Sequence, residues 1–266
     1  MNPTAPWTTA RLRALKGREK IVCLTAYDFA TARLVDESGV HLVLVGDSVG
    51  NTMLGYANTL PVTMLDMLSH TAAVARGVRQ ALIVADMPFM SYQLTIPHAL
   101  ANAGRLLKVG AHAVKLEGGT LRVPTIRAMV ANGIPVMGHL GLTPQSVQEF
   151  GGYKVQGRTA AAAKEILRDA RAIAKAGVFA IVLESIPAKL AAQITAAVGV
   201  PTIGIGAGPQ CDGQVLVIHD LLGLGGDWKP KFAKRYADLG AATKAAIGEY
   251  KREVADGTFP GPEHCY

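Results

Sequence analysis

Eight short apolar runs rich in β-branched residues recur along the chain, at 20–25, 41–45, 81–85, 113–116, 134–138, 180–183, 200–205 and 215–218, and the stretches between them are Ala-rich and helical in pattern. Strands that alternate with helices through short connections imply a parallel sheet, and a count of eight favours closure into a (β/α)8 TIM barrel. The 266 residues, half of them hydrophobic, are close to the ~250 of one such barrel. Few aromatics (6%) and 29 glycines suit Ala/Val/Leu-packed βα units better than an all-β sandwich. The expected organisation is therefore one domain over 1–266, with an N-terminal helix at 1–19 and a C-terminal helical extension at 229–266. The best-marked helix is 159–176, where Thr159 can cap the start and Gly177 sits where a left-handed C-cap is wanted. A Gly-punctuated segment from 139 to 158 reads as a long loop of the binding or lid type.

Four of the runs end in a carboxylate: Val45-Gly46-Asp47, Val84-Ala85-Asp86, Lys115-Leu116-Glu117 and Val182-Leu183-Glu184. In a parallel α/β protein these positions converge on the C-terminal rim of the sheet, where active sites lie. Side chains alternate along a strand, so Lys115 shares a face with Glu117, as Val45 does with Asp47, Val84 with Asp86 and Val182 with Glu184. With that face inward, one ammonium and four carboxylates crowd one cavity. Four acids at one rim repel one another unless a cation or a proton reconciles them.

Oxygen-only ligation, with no His or Cys at metal-binding spacing, selects a hard cation such as Mg²⁺, which is held by one or two carboxylates plus waters and substrate oxygens. Asp47 and Asp86 are the first choices as ligands. Glu117 is better placed just behind them, holding a water of the metal or pairing with Lys115. Glu184 stands between Ile181-Val182-Leu183 and Ser185-Ile186-Pro187, an apolar setting that suits either a general base of raised pKa or a buried acid paired with Arg or Lys. His139, read as the end of the fifth run, fits a structural role or a hydrogen bond to substrate. The run Gly204-Ile205-Gly206-Ala207-Gly208 follows the seventh strand, where barrels often bind phosphate; its glycines equally fit a close approach of a ligand to the backbone.

The formal charge of +7 comes from scattered basic residues with no nucleic-acid motif, which suits a solvated surface or attraction of small anions. Cys23, Cys211 and Cys265 form no CxxC pair, an odd count that argues for reduced thiols in a cytoplasm. No apolar run approaches the ~20 residues of a membrane span.

The stretches Leu24-Thr25-Ala26-Tyr27-Asp28, Val45-Gly46-Asp47-Ser48-Val49-Gly50, Ala85-Asp86-Met87-Pro88-Phe89-Met90, Lys115-Leu116-Glu117-Gly118-Gly119, Gly138-His139-Leu140-Gly141-Leu142-Thr143-Pro144-Gln145-Ser146, Gly151-Gly152-Tyr153-Lys154-Val155-Gln156-Gly157-Arg158 and Pro201-Thr202-Ile203-Gly204-Ile205-Gly206-Ala207-Gly208 resemble the ketopantoate hydroxymethyltransferase family over nearly the whole chain. The resemblance implies a (β/α)8 barrel that transfers a one-carbon unit from 5,10-methylenetetrahydrofolate to 3-methyl-2-oxobutanoate through a Mg²⁺-stabilised enolate, giving 2-dehydropantoate for pantothenate synthesis. It implies Asp47, Asp86 and Glu117 at the Mg²⁺ site, Ser48 and Lys115 on the keto acid together with Asp47 and Asp86, and Glu184 as proton acceptor. It also implies a cytoplasmic homo-oligomer, a decamer, with neither nucleic acid nor membrane as partner. Related lyases and mutases that use a loop Cys fit less well, because no Cys lies between Leu140 and Arg158.

Overall fold

The computed structural model describes residues 5–225 and 230–266, which form two compact units that divide after Val217. The first is a closed barrel of eight parallel strands in sequence order, β1 (Ile21–Thr25), β2 (Leu42–Val45), β3 (Leu82–Asp86), β4 (Ala113–Glu117), β5 (Val136–Gly141), β6 (Ala180–Glu184), β7 (Thr202–Ile205) and β8 (Gly213–Leu216), with β8 pairing back onto β1. Every predicted apolar run is a strand. Two differ most in extent.

The fifth run continues to Gly141, so His139 is a strand residue and the expected 20-residue loop is shorter, broken by a 3₁₀ turn (Pro144–Ser146) and a short helix (Val147–Phe150). Gly141 is what allows this: its φ is +96°, and a Cβ there would stand 2.2 Å from the carbonyl oxygen of Glu184. That contact brings β5 against the end of β6, where Leu142 N–H donates to the same carbonyl at 2.9 Å. The eighth strand starts two residues earlier than its apolar run, because Gly213 lies so close to Ile21 that only glycine fits.

Alternation sends one side-chain set into the barrel, where Leu42, Leu44, Leu82, Val84, Ala113, Met137, Val182, Ile203 and Val215 form a single buried cluster. Leu12 and Leu15 belong to the same cluster, and Trp7 packs against it. The expected N-terminal helix is confined to Thr9–Ala14. Six residues are too few to hold a helix alone; burial of Leu12 and Leu15, about 1.5–3 kcal/mol each, keeps it in place. The 160–176 helix (Ala160–Ala176) forms as its caps direct: Thr159 accepts from Ala162 N–H and Gly177 adopts φ +108°.

The second unit holds a short helix (Ile218–Leu222) and a longer one (Leu239–Asp256) whose residues are not buried within it. Lys229, the expected start of the extension, lies outside the described residues. No helix among the described residues is long and apolar enough to cross a membrane.

Candidate active site

Register decides which charges meet. Asp86 at the end of β3 is aligned with Lys115 of β4, and Glu117 of β4 with His139 of β5. All four share strand parity with the apolar residues that fill the barrel, so their side chains lie at the C-terminal end of its interior, and all four are buried. The cross-strand pairs follow: Lys115 Nζ stands 3.0 Å from Asp86 Oδ1, and His139 Nδ1 stands 3.5 Å from Glu117 Oε1. Lys115 Nζ is also 3.2 Å from His139 Nδ1. On β6, Glu184 Oε2 lies 3.2 Å from His139 Nε2, with a sixth of its side chain exposed. Asp86, Lys115, His139 and Glu184 thus form one continuous line of charge across four strands.

Asp47 reaches the site by another route. Leu42 and Leu44, not Val43 and Val45, fill the barrel, and β2 stops at Val45, so the shared face expected for Val45 and Asp47 does not point inward. The chain turns at Gly46 instead, Asp47 N–H donates to Asp86 Oδ2 at 3.0 Å, and the carboxylate is buried beside its neighbours. Ser48 follows, half-buried, its hydroxyl 2.8 Å from that of Tyr27. Burial pushes the Tyr27 phenol up to about 12 despite that bond.

The electrostatics reflect crowding. Burial raises Asp47 well above the ordinary carboxylate value, and the charges of Asp86 and Glu117 push the same way against Lys115. Burial also raises Asp86, although Lys115 works against it. Burial alone would lower Lys115, but Asp86, Glu117 and Asp47 outweigh it and hold the ammonium charged. For His139, burial and Lys115 act downward, while contacts with Glu117 and Glu184 carry it up to about 9. Two carboxylates against one ammonium favour the charged ring. Glu184, expected as an isolated acid in an apolar setting, therefore has a specific ion-pair partner, and it is His139 rather than Arg or Lys.

Several of these atoms lack hydrogen bonds. Asp86 Oδ1, Glu117 Oε1 and His139 Nε2 are buried without a hydrogen-bond partner, their charged neighbours standing close but out of line. Native proteins rarely leave such groups unmet unless a ligand or ion meets them. Among the described residues no three acids, imidazoles or thiols are placed to hold a metal by themselves. The donor set fits an ion such as Mg²⁺, which takes one or two carboxylates and completes its shell with waters and substrate oxygens.

Two further residues of this site carry neither a charge nor a periodic signal in the sequence. Gln145, buried in the 3₁₀ turn after β5, donates its backbone N–H to Glu117 Oε2 at 3.1 Å and its side-chain Nε2 to Asp47 Oδ2 at 2.8 Å. Tyr92 donates its hydroxyl to Gln145 Oε1 at 2.7 Å. A search for titratable groups overlooks an amide; the available signal was a turn-forming Thr-Pro-Gln in a Gly-punctuated segment. The glycines after β7 serve packing at one point at least, because a Cβ on Gly208 would meet Ala188 Cβ at 2.5 Å.

The ketopantoate hydroxymethyltransferase family model matches residues 6–262. The chain belongs to that family. It is 57% identical over 97% of its length to the 3-methyl-2-oxobutanoate hydroxymethyltransferase of Syntrophobacter fumaroxidans, covering 92% of that protein. It is 58% identical to the enzyme of the same name from Moorella thermoacetica, covering 97% of each chain. Family membership makes it a transferase enzyme. Among solved structures, the phosphoenolpyruvate phosphomutase of Streptomyces platensis subsp. rosaceus matches with a TM-score of 0.63 at 17% identity over 97% of this chain and 92% of that one. A phosphonopyruvate hydrolase solved with oxalate and Mg²⁺ matches with 0.61 at 16%, over 97% and 93%. Those likenesses show a shared barrel.

Proposed function

We propose that the chain transfers a hydroxymethyl group from 5,10-methylenetetrahydrofolate to 3-methyl-2-oxobutanoate, forming 2-dehydropantoate. The observation that carries this reading is the line Asp86, Lys115, His139 and Glu184 at the barrel mouth, with a partly exposed carboxylate at one end and buried carboxylate oxygens without hydrogen bonds at the other. The relatives' names supply the acceptor and the group transferred, and the family's name supplies the product.

The keto acid is an anion and binds at the charged end, with Lys115 and the Ser48 hydroxyl on its oxygens. Asp47 and Asp86, with Glu117 in or beside the shell, would hold Mg²⁺, which when bound would supply Lewis-acid polarisation to the site. Glu184, whose Oε2 lies 3.2 Å from His139 Nε2, removes the C3 proton. The negative charge left on the keto oxygen is the one Lys115 faces. The C3 electron pair then forms the bond to the methylene carbon. Both of that carbon's bonds to folate nitrogen are broken, water provides the hydroxyl oxygen, and the C3 proton and one water proton end on the two nitrogens of tetrahydrofolate. The free thiols among the described residues suit a reducing cytoplasm, and the family likeness carries the reading of a homo-oligomer.

The test is tetrahydrofolate release from the two substrates in buffer, with chelator, and with Mg²⁺ restored. Release that chelator stops and Mg²⁺ revives is expected; no release under any condition overturns the reading.

A further inference from the structure

We infer that Gln145, held by Tyr92, is a positioning residue that selects which oxygens of Asp47 and Glu117 are left to bind a divalent cation; the inference rests on the metal part of the function proposed above. Gln145 is buried, at 6% exposure, and both polar atoms of its side chain are engaged. Its Nε2 faces both Asp47 Oδ2 and, at 3.0 Å, the carbonyl oxygen of Met87. A carbonyl only accepts, so the nitrogen must point this way. Its Oε1 accepts from Tyr92 at 2.7 Å and from Gln93 Nε2 at 3.3 Å. Its own backbone N–H takes Glu117 Oε2. Tyr92 also accepts from Glu117 N–H at 3.2 Å, so the pair grips the end of β4 from the side chain and from the backbone.

One oxygen of Asp47 and one of Glu117 are thereby occupied by the same residue. What remains on Glu117 is Oε1, buried and without a hydrogen-bond partner. A carboxylate with one oxygen fixed offers the other in one direction, which lowers the ordering cost of binding a cation of strict geometry. Gln145 stands in the turn after β5 and reaches residues that follow β2 and end β4, so it couples the loop that carries it to the spacing of the two acids.

Gln145→Met removes the side-chain donor and acceptor at similar volume, and Tyr92→Phe removes one hydroxyl. Mg²⁺ affinity is measured by titration calorimetry on the full chain without keto acid, beside thermal melting. Loss of such supporting contacts weakens metal binding by about 10–100-fold; Gln145→Met is expected within that range and Tyr92→Phe nearer its lower end. The double variant is expected to lose less than the sum of the two single losses, because the Tyr92 hydroxyl that holds Gln145 is already without its acceptor in Gln145→Met. A merely structural role would lower melting and leave the affinity of the folded protein unchanged, and that result overturns the inference. Additive losses overturn the route through Gln145. If Gln145→Met does not fold, Tyr92→Phe decides by the same criterion. A wild-type chain that binds no divalent cation removes the metal reading itself and this inference with it.

Discussion

The two ends of the barrel treat buried carboxylates in opposite ways. At the N-terminal end, Asp36 accepts from the backbone N–H groups of Arg79, Gln80 and Ala81 at 2.8–3.3 Å. Asp212 accepts from Lys16 Nζ, Gly17 N–H and both the N–H and the hydroxyl of Thr202. Two imidazoles do related work there: His41 and His112 accept from the N–H groups of Val22 and Ile83. At the C-terminal end, Asp47, Asp86 and Glu117 repel one another around a single ammonium, and Asp86 and Glu117 each keep an oxygen without a hydrogen bond. A buried charge surrounded by donors contributes to stability, whereas a crowded and unmet one costs stability and persists for what it binds. The same residue type thus marks structure at one end and chemistry at the other.

The largest effect tests the charged end. Asp86→Ala is expected to lower tetrahydrofolate release by roughly 10³-fold or more, because the metal contribution is several kcal/mol and each ~1.4 kcal/mol is tenfold. The variant should still fold, since Glu117 and Asp47 also neutralise Lys115; Mg²⁺-dependent turnover at the wild-type rate would remove Asp86 from the site. Lys115→Met should raise the KM for the keto acid and lower kcat, and a change in neither would take Lys115 off the substrate.

The opposite end should respond in stability alone. Asp212→Ala strands the buried Thr202 N–H, and an unpaired buried donor costs about 1–3 kcal/mol, a loss that denaturant titration would read. The folded fraction should turn over normally; impaired kcat at full folding would break the contrast between the ends.

The smallest effect has the opposite sign. Asp47 has a folded pKa above its unfolded one, so its contribution is unfavourable once ionised: absent below the ordinary Asp value near 4, growing as pH rises through the raised folded value, and complete above it. Asp47→Asn, which keeps the shape, should therefore match wild type near pH 4 and melt a few degrees higher at pH 8 in chelator, while losing turnover. Equal or lower melting at pH 8 would mean that the rim carries no such cost.

Much of this was legible in the sequence, for identifiable reasons. Lys115 and Glu117 lie two apart in an apolar strand, so alternation alone placed them together, and Thr159 and Gly177 set their helix by local chemistry. Asp47 defeated the same argument because β2 ends before it and a turn carries it inward. His139 beside Glu184 was hidden because register between β5 and β6 is a long-range property. Gln145 was hidden for a different reason: its role lies in satisfied hydrogen bonds, which leave no trace in charge or periodicity.

The most direct test of a base at the mouth of a charged site is exchange of the C3 hydrogen of 3-methyl-2-oxobutanoate in deuterium oxide, followed by proton NMR without folate, in wild type and Glu184→Gln. The substitution keeps shape but cannot accept the proton. Keto-acid binding should stay nearly intact while exchange falls by on the order of 10²–10⁴-fold. Exchange at the wild-type rate in Glu184→Gln would contradict the assignment of Glu184 as the base.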